Sequence, residues 1–391
     1  MLNIPFSPWP SFTQEEADAV SRVLLSNKVN YWTGQECREF EKEFATFSDS
    51  EYAIVVANGT VALDLILHGL SIGTGDEVVV TSRTFLASVS SIALAGAVPV
   101  FADVDRDSQN VTAESIAAVV TEKTRAVICV HLAGWPCDMD PIMDLAAKHN
   151  LFVIEDCAQA HGARYKGHSV GSIGHAGAWS FCQDKIMTTG GEGGMVTCND
   201  KELWSQMWSF KDHGKSWSAV YEREHPPGFR WLHESFGTNG RMTEMQGVIG
   251  RIQLARMPQW TKARQMSASA IWDCARSLPG LRVPEVPADI EHAAYKCYVF
   301  VEPGVLAEGW SRDRIQNAIV EAGVPCFSGS CSEVYLEKAF DGTGWRPETP
   351  LPVARELGET SLMFLVHPTL TDDEIDKTCL VLTEVMGRAA S

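Results

Sequence analysis

Short runs of apolar, β-branched residues alternate with amphipathic stretches between residues 52 and 200. The runs are apolar on both faces, which is typical of strands buried between two layers of helices. Strands of this kind, separated by helical segments, predict a mostly parallel sheet that is covered on both sides, and hence an α/β fold. The predicted strands are residues 53–57, 77–81, 99–103, 126–130, 152–155, 178–181 and 195–198.

Helical patterns precede this segment, and a less regular stretch follows it. Thr13 and Glu16 form a capping-box pattern at the start of one helix, and residues 36–47 predict a second. Residues 204–240 are rich in Trp, His and Gly and show weak periodicity. They predict a long loop or hairpin, and long loops in compact domains tend to be functional.

The last third of the chain has a different order of elements. A long helical run over residues 243–277, bent at Pro258, is expected to lead the chain away from the large sheet. A smaller α+β domain should follow, so we predict a large domain at residues 1–255 and a small one at residues 256–391. The small domain's predicted elements are a strand at 295–301, a helix at 311–322 capped by Ser311, and a helix at 371–386 capped by Thr371 with Glu374.

Composition narrows the class of protein. The 391 residues are 45% hydrophobic, which suits a globular chain with a substantial core. A formal charge of −18, without clustered Lys and Arg, argues against a nucleic-acid surface. The eleven cysteines form no C-x-x-C pair, and no apolar run approaches the roughly 20 residues of a membrane span. We therefore expect a cytoplasmic protein with reduced thiols that binds neither nucleic acid nor membrane.

Lys185 is the first candidate for chemistry. It follows the apolar strand that includes Trp179 and Phe181, and the glycine-rich run at residues 188–194 comes directly after it. This context holds the lysine on rigid backbone at a sheet edge. A partly desolvated amine loses some preference for its charged form, and the free base can condense with an aldehyde to give a Schiff base. A lysine in a loop, taken alone, is usually a solvated surface charge.

Two upstream clusters favour the catalytic interpretation. Asp156 directly follows the predicted strand at residues 152–155 and so lies at its carboxyl end. Open α/β sheets bind their ligands at the carboxyl ends of strands. Gly59 and Thr60 lie where another strand turns into a helix, and free amides at a helix start bind anions. The lysine can condense with an aldehyde, the aspartate can pair with a pyridinium nitrogen, and the helix start can bind a phosphate. One cofactor, pyridoxal 5′-phosphate, carries all three groups.

The order of these motifs resembles the DegT/DnrJ/EryC1/StrS family of sugar aminotransferases. The resemblance covers nearly the whole chain and implies the fold of type I pyridoxal phosphate enzymes, with a mostly parallel large domain and a small α+β domain. It rests on Ile4-Pro5-Phe6-Ser7, Gly59-Thr60, Gly75-Asp76-Glu77-Val78, His131-Leu132-Ala133-Gly134, residues 156–162, Lys185, residues 190–194, His213-Gly214, Asn239-Gly240-Arg241-Met242 and His367-Pro368.

The resemblance also implies roles for cofactor-binding residues. Phe85 matches an aromatic residue that stacks on the pyridine ring. Gln159 matches a glutamine that lies beside that ring or beside its phenolic oxygen. Ser180 matches a serine that donates to the phosphate. Asn239 matches an asparagine that reaches the phosphate of a neighbouring subunit, which would make the protein a homodimer with shared active sites. The cofactor-binding set is then Gly59, Thr60, Phe85, Asp156, Gln159, Ser180, Lys185 and Asn239.

Substrate contacts follow from the same resemblance. Trp32 lies in a region that approaches the substrate in the family, and several basic side chains are candidates for a nucleotide diphosphate. Each has a simpler explanation as a packed aromatic, a structural tyrosine or a solvated charge, and structural roles are favoured for the tyrosines. The candidates are Trp32, His213, Lys215, Arg230, Arg241, Tyr295 and Tyr335.

Three further residues have structural alternatives. On position alone, Phe85 is equally well explained as a core phenylalanine. His161 is expected to be a core histidine with its hydrogen bonds satisfied rather than a donor near the cofactor. Glu192, which lies among glycines, is expected to cap neighbouring amides with its carboxylate.

The predicted reaction is a ping-pong transamination. L-Glutamate would aminate the cofactor to pyridoxamine 5′-phosphate, which would then aminate a keto-deoxy sugar carried on a nucleoside diphosphate. No phosphate-loop, H-E-x-x-H metal or G-x-S-x-G motif points to other chemistry, and no metal site is predicted. The alternatives are a sugar dehydratase of the same family and a non-catalytic nucleotide-sugar sensor. Related sugar 3-dehydratases carry histidine in place of the lysine, so Lys185 argues against the first.

Overall fold

The computed structural model describes residues 5–390, so Ile4 of the opening motif lies outside the described residues. The strands are β1 Tyr52–Val56, β2 Glu77–Thr81, β3 Val98–Ala102, β4 Thr124–Val130, β5 Phe152–Asp156, β6 Arg164–Tyr165, β7 His168–Ser169, β8 Ala176–Ser180, β9 Gly194–Cys198, β10 Leu281–Arg282, β11 Ile290–Glu291, β12 Cys297–Val301, β13 Cys326–Phe327 and β14 Ser361–Phe364. The α-helices are α1 Gln14–Leu25, α2 Glu36–Phe47, α3 Gly59–Gly69, α4 Ala87–Leu94, α5 Ala113–Ala117, α6 Met139–His149, α7 Lys201–Lys211, α8 Trp217–Tyr221, α9 Glu244–Arg276, α10 Arg312–Glu321, α11 Pro352–Thr360 and α12 Asp372–Ala389.

The large sheet has seven strands in the order β1-β9-β8-β5-β4-β2-β3. The five strands β8, β5, β4, β2 and β3 are parallel to one another. Strand β9 lies between β1 and β8 and is antiparallel to both. All seven predicted strands are present, with ends shifted by no more than two residues. The mostly parallel α/β fold is therefore confirmed.

Alternate residues of the central strands enter different hydrophobic clusters. On β5, Ile154 belongs to one cluster and Val153 to another, and on β2 the same alternation separates Val80 from Val79. Successive side chains of a strand point to opposite faces, so the sheet is buried on both sides. Full burial of each such side chain stabilises the fold by about 1.5–3 kcal/mol.

A second sheet lies in the last third of the chain. Its order is β10-β12-β14-β13, and its side chains form a hydrophobic cluster with the later turns of α9 and with α12. On α9, the residues of this cluster begin at Ala268. The boundary predicted between residues 255 and 256 falls inside α9, and the division into two domains stays a prediction.

Three predicted helix starts have the expected caps. Glu16 accepts a hydrogen bond from the Thr13 backbone N–H at 2.7 Å, and Glu374 accepts one from that of Thr371 at 2.6 Å. The Ser311 hydroxyl accepts from the Arg314 N–H at 3.3 Å. These caps satisfy amides that the helices leave free at their first turns.

The prediction of one long loop or hairpin at residues 204–240 is wrong for its first half. Helix α7 runs to Lys211, and the short α8 follows. Asp200 caps α7 by accepting a hydrogen bond from the Leu203 N–H at 2.8 Å. Because this residue lies upstream of the aromatic-rich stretch, the pattern within residues 204–240 does not reveal the helix start. Two isolated bridges, Lys215 to His233 and Asp212 to Asn239, tie the returning segment to the turn after α7.

No helix among residues 5–390 combines the length and the apolar character needed to cross a bilayer.

Candidate active site

A cavity of about 610 Å³ opens where β5 and β8 end at the edge of the large sheet. Asp156 is the last residue of β5, and Ser180 is the last residue of β8. The start of α3 closes one side, and the turn after β8 closes another. Of the residues predicted from the sequence, the cavity is lined by Gly59, Thr60, Phe85, Asp156, Gln159, Ser180 and Lys185.

Lys185 is fixed through its backbone and largely shielded from water. Its carbonyl accepts a hydrogen bond from the Trp9 indole at 2.8 Å, and its N–H donates to the Cys182 carbonyl at 3.1 Å. Only 17% of its side chain is exposed. The Nζ lies 3.8 Å from Oδ1 of Asp184 and 5.4 Å from the centroid of the Tyr295 ring.

Asp156 is a buried carboxylate that faces the cavity. Its Oδ2 accepts from the Ser88 hydroxyl at 2.8 Å, and its Oδ1 accepts from the Ala158 N–H at 3.1 Å. Within residues 5–390, no lysine, arginine or histidine forms an ion pair with it. A buried carboxylate without a cationic partner is costly, so the site suits a ligand that carries a protonated nitrogen.

The start of α3 forms an anion cradle. Asn58 caps the helix by accepting from the Val61 N–H at 2.9 Å, and the first turn carries no acidic residue. The positive end of the helix dipole therefore faces the cavity without compensation. A Cβ on Gly59 would lie 2.7 Å from the Ser180 Cβ, so glycine permits the close approach of the helix to β8.

Phe85 and Gln159 provide an apolar face and an amide. Phe85 is 71% exposed and lines the cavity, so the alternative that it is a core phenylalanine is wrong. The Gln159 Oε1 accepts from the Ala133 N–H at 2.9 Å, which fixes the orientation of the side chain at the cavity wall.

These features fit pyridoxal 5′-phosphate group by group. The α3 amides suit a phosphate, and Asp156 suits a protonated ring nitrogen. Phe85 offers a face to an aromatic ring, and Lys185 offers an amine to an aldehyde. All four groups line one cavity.

A buried network supports the neighbouring strand end. Glu155 accepts from the backbone N–H groups of Gly171, Ile173 and Gly174, and His131 lies 3.0 Å from its Oε2. His131 Nδ1 accepts from a backbone N–H, so its Nε2 donates to Glu155. Although His131, Glu155 and Cys157 lie close enough to resemble a metal cluster, hydrogen bonds already use the His131 and Glu155 ligand atoms.

Asn239 and the basic candidates lie away from this cavity. Asn239 is exposed and lines a second cavity beside α3, together with Asp64 and His68. Arg241 and Lys215 pair with Asp212, at 2.5 and 3.2 Å. His213 and Arg230 are exposed.

Two aromatic candidates are packed elsewhere in the chain. Trp32 lies in an aromatic cluster with Trp208 and Tyr221, at centroid distances of 5.9 and 6.4 Å. Tyr335 is buried, and its hydroxyl donates to Glu333 at 2.6 Å. Neither residue lines the cavity around Lys185.

His161 and Glu192 are the two remaining residues for which the sequence predicts a structural role. His161 is fully buried against the rings of Trp179 and Phe181, as expected for a core histidine, but neither ring nitrogen has a hydrogen-bond partner among residues 5–390, so the expectation of satisfied hydrogen bonds is wrong. The prediction for Glu192 is wrong: within residues 5–390 no backbone N–H donates to its carboxylate, whose partner is the Cys182 thiol, and the residue lines the cavity.

Tyr295 and Lys296 lie beside Lys185, and the sequence did not single out Lys296. The buried Tyr295 donates its hydroxyl to Asp184 at 2.7 Å and its ring faces Lys185, which agrees with the structural role expected of it. Lys296 lines a further cavity that adjoins Lys185. Both lie about a hundred residues from Lys185 in the sequence, so no local pattern links them to it.

Known proteins that are similar to this chain include aminotransferases, which agrees with a cavity that fits pyridoxal 5′-phosphate. The model of the DegT/DnrJ/EryC1/StrS aminotransferase family matches residues 10–383. GDP-perosamine synthase of Escherichia coli O157:H7 is 34% identical over 96% of this chain and 96% of its own. An aminotransferase from Psychrobacter cryohalolentis has 67% identity and a TM-score of 0.96, covering 98% of this chain and 99% of its own. The sugar aminotransferase Spr1654 from Streptococcus pneumoniae, solved in its PLP form, has 26% identity and a TM-score of 0.86, covering 99% of both chains.

Fold and cavity together define an aminotransferase that uses pyridoxal phosphate. The chain belongs to the DegT/DnrJ/EryC1/StrS aminotransferase family.

Proposed function

We propose that this aminotransferase moves an amino group from L-glutamate to a keto-deoxy sugar carried on a nucleoside diphosphate. The observation that carries the proposal is that Lys185, Asp156 and the start of α3 meet in one cavity. The name of the E. coli relative, GDP-perosamine synthase, supports a nucleotide-linked sugar as the acceptor. The product would be an amino sugar for a polysaccharide or another glycosylated molecule.

The residues at the cavity wall have separate tasks in binding the cofactor. The amides of Gly59 and Thr60 and the Ser180 hydroxyl would hold the phosphate. Asp156 would keep the ring nitrogen protonated, while Phe85 and Gln159 would hold the two faces of the ring. When bound, pyridoxal phosphate withdraws electrons from the substrate carbon that carries the amino group.

Lys185 would both anchor the cofactor and move the proton. As a general base, its Nζ would accept the proton that the amino-bearing carbon of the donor loses; as a general acid, it would donate a proton to the sugar carbon that receives the amine. Asp184 and the Tyr295 ring, which contact the Nζ, keep the amine directed toward the cavity. Because the same residues would hold the cofactor throughout, one cavity would serve both half-reactions.

We also propose that two copies of the chain share their active sites. Asn239 would reach the phosphate in the partner's cavity, since it is exposed and lies outside its own. The segment that leads to Asn239 carries the exposed aromatics Trp231 and Phe236, 81% and 99% accessible, which favours a surface covered by a partner. From the family resemblance we propose as substrate contacts five residues that line neither cavity beside Lys185 in their own chain: Trp32, His213, Arg230, Arg241 and Tyr335.

A cytoplasmic location is proposed as well. All eleven cysteines are unpaired thiols, and several of them are buried in the core. Reduced thiols are typical of a reducing compartment.

The direct test is a panel of acceptors. The protein is incubated with L-glutamate and UDP-, dTDP- and GDP-linked 3-keto and 4-keto sugars, and products are identified by mass and NMR. We expect one panel member to gain an amine with release of 2-oxoglutarate. If glutamate leaves the visible spectrum of the cofactor-loaded protein unchanged and no sugar gains an amine, the proposal is wrong.

A further inference from the structure

A cavity of about 580 Å³ adjoins the one that would hold the cofactor. The two cavities share Phe85, Gln159, Asp184 and Lys185 in their walls. Residues from the second sheet and its loops close the far side. A substrate that occupies the adjoining cavity therefore contacts the reacting lysine directly.

The cations in these walls are few. Of the described residues that line either cavity, Lys185 and Lys296 are the cationic ones. Lys185 has Asp184 3.8 Å from its Nζ. Lys296 forms no ion pair with a carboxylate in residues 5–390, and its Nζ lies 4.7 Å from the centroid of the Tyr295 ring. Lys296 is half-buried, and Asp184, whose charge acts on it, is shared with Lys185.

A third cation lies near Lys296. Arg264 is fully buried, with its guanidinium 5.1 Å from the Trp9 ring centroid, and it has no ion pair within residues 5–390. Its Nε and Nη2 have no hydrogen-bond partner among those residues. The lining of the adjoining cavity carries two cations, Lys185 and Lys296, and two carboxylates, Asp184 and Glu337; the charge of Arg264, which acts on Lys296 from behind the wall, adds an excess of one positive charge. Such an excess favours an anionic ligand.

Burial is the largest of the effects that together lower the pKa of Lys296 to about 8; the charge of Asp184 opposes it, and the charges of Arg264 and Lys185 act in the same direction as burial. An anion beside the amine would relieve the cost of burying the charged form. Glu337 also lines the cavity but is exposed, so water screens its charge.

We propose, on the basis of the aminotransferase function above, that Lys296 binds a carboxylate of the amino donor. An α-amino acid carries its carboxylate on the carbon that bears the amine, so a donor amine at Lys185 places the carboxylate close by. The Nζ atoms of Lys185 and Lys296 lie 5.4 and 4.7 Å from the centroid of the same Tyr295 ring, which places both amines in one part of the adjoining cavity. A nucleotide's diphosphate is attached to the far side of a sugar ring and would lie further from Lys185.

The binding test uses the cofactor-loaded protein and glutarate, a dicarboxylate that has no amine to transfer. Calorimetry compares wild type with Lys296→Gln, Lys296→Arg and the control Lys123→Gln, which removes an equal charge from an exposed position outside the cavity. We expect glutarate to bind at least about 10-fold more weakly to Lys296→Gln, as for a lost charge-assisted hydrogen bond. Lys296→Arg and Lys123→Gln should stay within about threefold of wild type.

Two further measurements separate this inference from the proposed function. In the first, the affinity for UDP should be unchanged in Lys296→Gln, because the proposal assigns Lys296 to a carboxylate rather than a phosphate. In the second, glutamate should change the visible spectrum of wild type. The glutamate concentration that gives half of this change should be higher in Lys296→Gln. A wild type that binds glutarate through Lys296 but does not react with glutamate contradicts the aminotransferase proposal alone.

The inference about Lys296 is overturned by any of three results. These are unchanged glutarate binding in Lys296→Gln, no glutarate binding to wild type, and a loss confined to UDP. The bound-cofactor absorption band and the thermal midpoint of Lys296→Gln establish that the variant is folded and loaded before either affinity is compared.

Discussion

The Ser88 hydroxyl donates a hydrogen bond of 2.8 Å to Oδ2 of Asp156, at the point where β5 ends. The Ala158 N–H donates to the other oxygen, so both oxygens of the carboxylate are fixed in orientation without a cation to neutralise them. An oriented, uncompensated carboxylate is what a protonated ring nitrogen requires as a partner.

Replacing this carboxylate should therefore remove most of the activity. We expect Asp156→Asn to slow the glutamate half-reaction by about 100-fold or more, since it removes a charge that stabilises the transition state. Ser88→Ala, which only loosens the carboxylate, should cost about 10-fold or less. Stopped-flow absorbance measures both, and Asp144→Asn, on the exposed side of α6, is the control. Equal rates for Asp156→Asn and wild type would contradict the assignment.

The contact between α3 and β8 should determine cofactor affinity. A Cβ at Gly59 would lie 2.7 Å from the Ser180 Cβ and 3.2 Å from its Cα, so Gly59→Ala must push the helix start away from the strand. We expect the dissociation constant for pyridoxal phosphate to rise by about 10-fold or more. Spectral titration of the cofactor-free protein measures it. Gly304→Ala, whose Cβ would meet nothing within 4 Å, should leave the constant unchanged.

Shared active sites can be tested by mixing two inactive variants. If Asn239 serves the partner's cavity, a dimer of Lys185→Ala and Asn239→Asp contains one site with both residues intact. Random exchange of copies should then restore about a quarter of the wild-type sites. If Asn239 acts within its own chain, every site in the mixture carries a lesion. Activity that stays at the level of the separate variants would exclude the shared arrangement.

Acid should destabilise the protein through its buried histidines. Burial, with smaller effects from Lys185 and Arg264, lowers the pKa of His161 to about 3. A histidine in the unfolded chain takes up a proton below about pH 6.5, whereas His161 in the fold does not, so stability falls as pH decreases from there toward 3. The contribution of His161 to that loss should be about 2 kcal/mol by pH 5.

The matched variants are His161→Phe and, at an exposed position, His213→Gln. Urea unfolding at pH 7 and pH 5 gives the change in stability for each. The drop should shrink by about 2 kcal/mol in His161→Phe and stay at the wild-type value in His213→Gln. Equal drops in all three proteins would show that His161 is not the group that takes up the proton.

Local patterns predicted the parts of the site that the sheet itself positions. Asp156 and Ser180 end strands that are apolar on both faces, and Gly59 begins a helix directly after a strand. Parallel strands bring their carboxyl ends to one edge, so the sequence alone indicated that these residues would meet.

Residues from distant segments could not be placed in this way. Tyr295 and Lys296 reach Lys185 only because the second sheet closes over the cavity, which depends on the packing of α9 rather than on any local motif. Weak periodicity also obscured α7, where tryptophans replace the usual aliphatic residues. The exposure of Phe85 follows from the shape of the cavity, which no pattern around that residue encodes.

The most direct test concerns the attachment of the cofactor to Lys185. The cofactor-loaded protein is reduced with sodium borohydride, digested, and mapped by mass spectrometry for a peptide that carries a pyridoxyl group. We expect the label on Lys185 and none on Lys296, which lines the adjoining cavity. A label on Lys296 or on another lysine, or no label in a protein that shows bound cofactor, would contradict the central claim.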